Sequence, residues 1–289
     1  MTEAILKRLA DYMLRTAKEG EDDLLVILPN RRAGLFLQRY LSESTLSSMW
    51  MPRVSGIGDF IEAESELRLS DPVELQFRLY DIYSTMVEEA EPLDQFMPWG
   101  EMMIRDFDEL DKYLVDAEQL FQNIRDLKAL EEPLAGLEPE QLVFIRQFWE
   151  GFYEGDMTPE KRQFLQTWEL LPRLYKKLQE ELRSVGEGYQ GMQYRELAER
   201  ILKGEHALER GGRTIVAGFN ALNRCEKVIF SALREHGAAF FWDYDQRYLE
   251  DRGEEAGRFL RENIKRFPEA EKLEDFRGLD MEKQFRVFE

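Results

Sequence analysis

A basic, hydrogen-bonding tip follows the first strongly apolar segment of the chain. Residues 24–28 read LLVIL and predict a buried strand, and the chain then runs directly into an amphipathic helix through Pro29, Asn30, Arg31 and Arg32. Loops and helix N-termini at the carboxyl ends of strands bind anions, because backbone N–H groups and the helix dipole favour negative charge there. The tip therefore predicts a phosphate-binding site, although Asn30 can equally well cap the helix.

Two acidic pairs have residue types that bind divalent metal ions. Asp243 and Asp245 end the apolar segment AAFFWDYD, and Asp108 and Asp111 share one face of a predicted helix. Neither pair has a phosphate-binding loop or a second acidic motif beside it. We therefore expect solvated or helix-capping carboxylates, with Asp243 and Asp245 as weak candidates for a metal site. One cysteine, Cys225, predicts a buried thiol rather than a disulfide.

The sequence lacks the motifs that nucleotide-hydrolysing proteins usually contain. A P-loop requires Gly-x-x-x-x-Gly-Lys-Ser/Thr, and none of the 19 glycines is directly followed by a lysine. The apolar segment 214–217 continues into Gly218-Phe219-Asn220, where a Walker B strand would end in acidic residues that hold Mg²⁺. We expect no ATP hydrolysis and no bound cofactor in this chain.

Composition and charge limit the classes of protein to which this chain can belong. Of the 289 residues, 43% are hydrophobic and 34% charged, which is enough apolar material for one or two cores. No run of about 18 apolar residues exists, so we expect no membrane span and no signal peptide, and a cytoplasmic location. The net charge is −19, yet residues 1–60 carry 8 acidic and 8 basic side chains, whereas residues 61–150 carry 23 and 7. The acidic middle third would repel DNA or attract a basic partner.

The predicted elements follow the order α/β, helical, α/β. We predict an α/β fold, predominantly helical, with a parallel sheet interrupted by a large helical insertion. Residues 1–70 together with 205–289 form the α/β domain, and residues 71–204 form the helical subdomain. Predicted strands lie at 24–28, 53–55, 214–217, 238–242 and 285–288. Because a lone strand cannot bury its faces, we expect the two α/β segments to share one sheet.

Several separated segments resemble the AddB-like or RecC-like inactivated helicases of the PD-(D/E)XK nuclease family. The resemblance is carried by the tip after residue 28 and by MPRVSGIGDFIEAES at 51–65, WGEMMIRDFDELDKYLVDAEQLFQNIRDLKALE at 99–131, GYQGMQYRELAERIL at 188–202 and TIVAGFNALNRCEKVIFSALREHGAAFFWDYD at 214–245. Members of this family join a helicase-like body to a C-terminal PD-(D/E)XK nuclease. The resemblance implies a P-loop-helicase-like sheet, a role in DNA-end processing during double-strand-break repair and recombination, and an AddA-like helicase subunit as partner.

The resemblance also implies which residues contact DNA. In related helicases the segment after the second strand and a short Ser/Thr-bearing piece beyond it contact the single-strand backbone. The matching positions are Asn30, Arg31, Arg32, Arg53 and Ser55, and arginine side chains suit phosphate oxygens. The family's Mg²⁺-dependent exonuclease site lies further along than residue 289, so we expect this chain to be the N-terminal part of a longer protein.

Aromatic side chains in the helical block are candidate platforms for stacking unpaired bases. They are Trp99, Trp149, Trp168, Tyr189 and Tyr194. Helical spacing predicts that most of them are packed in a core, with Tyr189 and Tyr194 the freest to bind.

Three functions from different classes stay open at the level of sequence. The first is a non-hydrolysing helicase-like module that binds DNA and braces a partner helicase. The second is an acidic scaffold that docks a basic protein without binding DNA. The third is a metal-dependent hydrolase that uses Asp243 and Asp245.

Overall fold

The computed structural model describes residues 5–16, 23–44, 51–117, 120, 159–208, 212–244, 249–250 and 257–271, with backbone alone at 44 and 159–169. In chain order its helices and strands are α1 Ile5–Thr16, β1 Leu24–Leu28, α2 Arg31–Ser44, β2 Arg53–Gly56, α3 Ile57–Glu64, β3 Arg68–Leu69, α4 Pro72–Met86, α5 Leu93–Lys112, α6 Pro159–Ser184, β4 Glu187–Gly188, α7 Gln190–Lys203, β5 Arg213–Ala217, α8 Arg224–Glu235, β6 Ala239–Phe241 and α9 Arg258–Arg266. The prediction of a mainly helical α/β protein is confirmed.

The four strands β2, β1, β5 and β6 form one parallel sheet in that order. Strand β1 pairs with β2, Leu28 opposite Gly56, and with β5, Leu24 opposite Arg213. The expectation that the two α/β segments share one sheet is therefore confirmed. Both central strands carry four consecutive buried residues, as is typical of parallel strands covered on both faces. The strand predicted at 285–288 lies outside the described residues.

The chain divides into two compact units. The first, which we call the sheet unit, comprises 1–60, 207–222 and 230–289; the second, the helical unit, comprises 61–206 and 223–229. In the sheet unit, α1, α2 and the sheet share an apolar core that includes Leu9, Met13, Val26, Leu37, Leu41, Ile215 and Phe241. In the helical unit, the core includes Leu75, Leu79, Phe96, Phe107, Leu174, Leu178 and Met192.

Local sequence explains how the main helices of the helical unit start and which side they bury. Helix α4 begins after Asp71, whose carboxylate accepts hydrogen bonds from the N–H groups of Val73 at 2.8 Å and Glu74 at 3.2 Å. Pro72 occupies the first helical position, where its missing N–H costs nothing. Helix α5 buries a stripe spaced by three and four residues, namely Phe96, Gly100, Met103, Phe107 and Asp111.

The expectation that Asp111 is a solvated carboxylate is wrong, because the side chain is fully buried. It accepts hydrogen bonds from the hydroxyls of Tyr175 at 2.6 Å and Tyr189 at 2.5 Å, from Gln179 Nε2 at 3.0 Å and from Arg195 Nε at 2.6 Å. Burial raises the pKa of Asp111, and the hydrogen bonds from the two tyrosines and Arg195 lower it. Four donors thus replace water around this carboxylate and tie α5 to α6 and α7.

The expected accessibility of two tyrosines is also wrong. Tyr189 and Tyr194 are both buried, and Tyr189 donates to Asp111. Trp99, in contrast, is 53% exposed. Trp149 and the side chain of Trp168 lie outside the described residues. Cys225 is buried as expected, and burial raises the pKa of its thiol.

Candidate functional site at the carboxyl edge of the sheet

The strand order places a topological switch point between β1 and β5. Chain connections lead from β1 to β2 on one side and from β5 to β6 on the other. Ligands of open α/β sheets bind outside the carboxyl ends of the strands at such a point. Here the loop after β1 contains Pro29 and Asn30, and the loop after β5 begins with Gly218. The two loops are neighbours, because a Cβ added to Gly218 would lie 3.7 Å from Pro29 Cδ.

Asn30 performs the capping role that the sequence left open. Its Oδ1 accepts a hydrogen bond from the N–H of Ala33 at 2.9 Å, as is usual for the residue before a helix. The side-chain oxygen of Asn30 therefore holds the first turn of α2 in place. This cap positions the two arginines that follow.

Arg31 is held at this edge by Asp59 in the first turn of α3. Its Nε donates to both carboxylate oxygens, at 2.9 and 2.8 Å, and its Nη2 donates to Oδ1 at 2.5 Å. The hydrogen bond from Arg31 lowers the pKa of Asp59. Gly56 permits the close approach, because a Cβ there would lie 3.2 Å from the Arg31 nitrogen and 3.3 Å from the Asn30 carbonyl carbon.

The outward side of α2 extends this edge into a basic and apolar surface. We call it the α2 outer face and define it by Arg32, Leu35, Phe36 and Arg39. Leu35 is 68% exposed and Phe36 41% exposed, and the guanidinium of Arg32 lies 5.9 Å from the centre of the Phe36 ring. Arg39 donates to Glu43 at 2.7 Å. Arginines that alternate with an exposed aromatic ring suit a nucleic-acid strand, since phosphates and base faces are bound together.

Sequence reasoning assigned no DNA contact to Phe36 or Arg39. Helical periodicity could have identified them, because Leu37 and Leu41 predict the buried side of α2. Phe36 and Arg39 lie opposite that side. Residues four positions apart are neighbours on a helix, so Arg32 predicts Phe36 as its surface partner.

The other two predicted DNA contacts lie at different places along β2. Arg53 begins the strand, opposite Leu25, and pairs with Asp23 at 3.3 Å. It therefore lies at the amino edge of the sheet, about 10 Å along the strand from the carboxyl edge. Ser55, one residue before the end of β2, is half-buried and donates to the carbonyl oxygen of Gly56 at 3.1 Å. The structure brings Asn30, Arg31 and Ser55 to one edge of the sheet and places Arg53 at the opposite edge.

The carboxylate after β6 has a basic neighbour. Asp243 lies 3.8 Å from Nη2 of Arg8, and its side chain is half-exposed. Burial raises the pKa of Asp243, and Arg8 lowers it. Asp245 lies outside the described residues. Among the described residues, no group of three or more His, Cys, Asp or Glu side chains is arranged to hold a metal ion.

The chain matches no protein-family model, and no curated protein sequence matches it. The family resemblance therefore stays a prediction. No helix in the described part of the chain has the length and apolar character needed to cross a membrane.

We expect Asp59→Asn to lower the free energy of unfolding by about 0.5–1 kcal/mol at pH 7, which is the range for a well-aligned but exposed ion pair. The pKa of Asp59 is lower in the folded chain than its unfolded value of about 3.9. Its stabilising effect is therefore complete above the unfolded pKa and is lost as the pH falls through the folded pKa. Urea denaturation of both proteins at pH 7 and at pH 3 measures this. If the difference in unfolding free energy between wild type and Asp59→Asn did not shrink at pH 3, the ion pair between Arg31 and Asp59 would be contradicted.

Proposed function

We propose that this chain is the non-hydrolysing, helicase-like module of an AddB-like DNA-end-processing helicase-nuclease, which binds the DNA backbone and braces a partner helicase. The observation that carries the proposal is the position of Arg31 and Arg32. They lie at the capped start of α2, beside the switch point of a parallel sheet, and the α2 outer face continues the basic surface. Single-stranded DNA fits this surface, with phosphates on the arginines and a base against Phe36.

The distribution of charge supports a local DNA contact on an acidic protein. Residues 1–60 are neutral overall and contain the whole α2 outer face, whereas the acidic excess lies mainly in 61–150. Phosphate binding by arginine releases counterions, so the affinity must fall as salt rises. The absence of any Gly-Lys pair in the sequence supports binding without ATP hydrolysis.

The test is fluorescence anisotropy with a labelled forked duplex that carries a single-stranded tail, at 50 and 200 mM salt. We expect the Arg31→Ala, Arg32→Ala double variant to bind about tenfold or more weakly than wild type at 50 mM salt. Its plot of log affinity against log salt should be shallower by about 1.4, or about 0.7 for each lost phosphate contact on a single strand.

The matched control is Arg105→Ala with Arg183→Ala, two exposed arginines of the helical unit. It removes the same charge and leaves every residue of the α2 outer face unchanged, so it should keep the affinity within about twofold of wild type. No binding by wild type at 50 mM salt would overturn DNA binding. Equal weakening in the control would overturn its assignment to α2.

An acidic scaffold that docks a basic protein is the second candidate function. The observation in its favour is the excess of 23 acidic over 7 basic side chains in residues 61–150. Such a scaffold binds a basic partner and leaves DNA unbound, so the same anisotropy measurement separates the two candidates.

A further inference from the structure

The side of α5 that faces away from the helical core carries a second ordered stripe. Its members are Trp99, Met102, Asp106 and Glu109 of α5 and Tyr113, the residue directly after the helix, and we call it the α5 carboxylate face. The spacing alternates three and four residues, which keeps all five on one side of a helix over about 21 Å. The buried stripe of the same helix uses different positions, from Phe96 to Asp111.

The ends of the stripe expose side chains of the types that anchor protein interfaces. Trp99 is 53%, Met102 39% and Tyr113 46% exposed. Single exposed apolar residues are common on proteins, but a tryptophan, a methionine and a tyrosine along one helical line are typical of a binding surface. Tryptophan and tyrosine in particular are enriched among residues that dominate binding energies.

The middle of the stripe is acidic and selects the partner. Asp106 and Glu109 lie between the apolar ends, and Asp94 and Glu101 are exposed on the same helix, where Arg105 is the one exposed basic side chain. Burial raises the pKa of Asp106, and burial together with Glu109 raises the pKa of Tyr113. The partly desolvated carboxylate of Asp106 and the exposed carboxylate of Glu109 therefore favour a cation, whereas a phosphate backbone is repelled.

We propose that the α5 carboxylate face docks a basic amphipathic helix of a protein partner. Apolar side chains of that helix pack on Trp99, Met102 and Tyr113, and its Lys or Arg side chains pair with Asp106 and Glu109. The heptad-like spacing suits two helices packed side by side. A second copy of this chain would bring like carboxylates together, which opposes association. The proposal does not depend on DNA binding by the sheet unit.

The probe is a labelled 21-residue helical peptide of Leu, Ala and Lys with leucines at alternating spacings of three and four, and its counterpart with Glu in place of Lys. Anisotropy at 150 mM salt should show binding of the Lys peptide and none of the Glu peptide. The Trp99→Ala, Met102→Ala variant should weaken binding at least tenfold, and the Asp106→Asn, Glu109→Gln variant about fivefold or more.

Two control variants distinguish binding at the α5 carboxylate face from a general attraction of the Lys peptide to an acidic protein. Val73→Ala with Phe77→Ala removes an exposed apolar pair on α4, and Glu62→Gln with Asp81→Asn removes two exposed carboxylates. Both should bind the peptide as wild type does. Absence of binding, or equal loss in the controls, would overturn the proposal. Concentration-dependent dimers in sedimentation that vanish in the Trp99→Ala, Met102→Ala variant would also overturn it, since the face would then bind its own copy.

Binding measurements with the forked duplex and with the Lys peptide distinguish the two proposals. The Trp99→Ala, Met102→Ala variant should retain wild-type affinity for the forked duplex, while the Arg31→Ala, Arg32→Ala variant should retain affinity for the Lys peptide. Loss of peptide binding in the arginine variant would overturn the assignment to α5 without bearing on DNA.

Discussion

Asp111→Ala should lower the free energy of unfolding by about 3–5 kcal/mol, the cost of removing one partner from a buried, hydrogen-bonded ion pair. The variant leaves the guanidinium of Arg195, which is only 14% exposed, without its carboxylate. It also leaves the hydroxyls of Tyr175 and Tyr189 without their acceptor. Guanidinium denaturation followed by circular dichroism gives the difference directly.

The size of this effect depends on Arg195 as well as on the tyrosines. Arg195 Nη2 donates to the carbonyl oxygens of Leu110 at 3.1 Å and Val115 at 2.7 Å, around the C-terminal end of α5. Loss of Asp111 therefore weakens the attachment of that helix end to α7.

Two further variants show whether the stability lost in Asp111→Ala comes from the buried ion pair. Glu101→Ala, an exposed carboxylate of the same helix, should change stability by less than about 0.5 kcal/mol. Asp111→Leu combined with Arg195→Leu should recover part of the loss, because a buried pair replaced by apolar side chains leaves no orphan charge. A loss below about 1 kcal/mol in Asp111→Ala would show that water reaches the Arg195 guanidinium and the two tyrosine hydroxyls in place of the carboxylate.

Gly191→Ala should destabilise the chain by about 1–3 kcal/mol, the usual cost of overpacking. A Cβ at this position would lie 2.4 Å from the carbonyl oxygen of Asp108 and 2.8 Å from its Cα. Both are backbone atoms of α5, so no side-chain rotation relieves the clash. The gain in helix propensity, about 1 kcal/mol at most, is too small to offset it.

The same denaturation assay tests Gly191 against its neighbour. Gln190→Ala, at an exposed position one residue earlier, should stay within about 0.5 kcal/mol of wild type. If Gly191→Ala were as stable as wild type, the contact between the start of α7 and α5 would have to be looser than the structure shows. The N–H of Gly191 also donates to Asp108 Oδ1, so a shift of α7 would break that hydrogen bond.

Much of the fold was predictable because the relevant patterns are local. The apolar runs at 24–28 and 214–217 predict strands buried on both faces, and the helical period of 71–204 predicts helices such as α4 and α5. The short strand β4 within that range was not predicted. The inward stripe of α2, with Leu37 and Leu41, likewise follows from helical periodicity. Each of these predictions depends only on which neighbours share a face of one element.

The errors at Asp111 and Tyr189 have a common physical cause. Burial of a carboxylate requires donors, and those of Asp111 come from residues 64 to 84 positions further along the chain. Helical spacing did contain one clue, since Asp111 lies four residues after the buried Phe107. Spacing alone could not show that two tyrosines, a glutamine and an arginine would surround it.

The sequence by itself determined that a basic tip follows a buried strand, that no P-loop is present, and that the middle of the chain is acidic. Only the tertiary structure decided the strand order, which creates the switch point beside Asn30, and the parallel register of β1 and β2, which places Arg53 at the opposite edge. It also decided that Asp59 holds Arg31 and that the outer side of α5 is left exposed. Periodicity records which residues share a face, whereas the partner of each face is set by packing between elements distant in sequence.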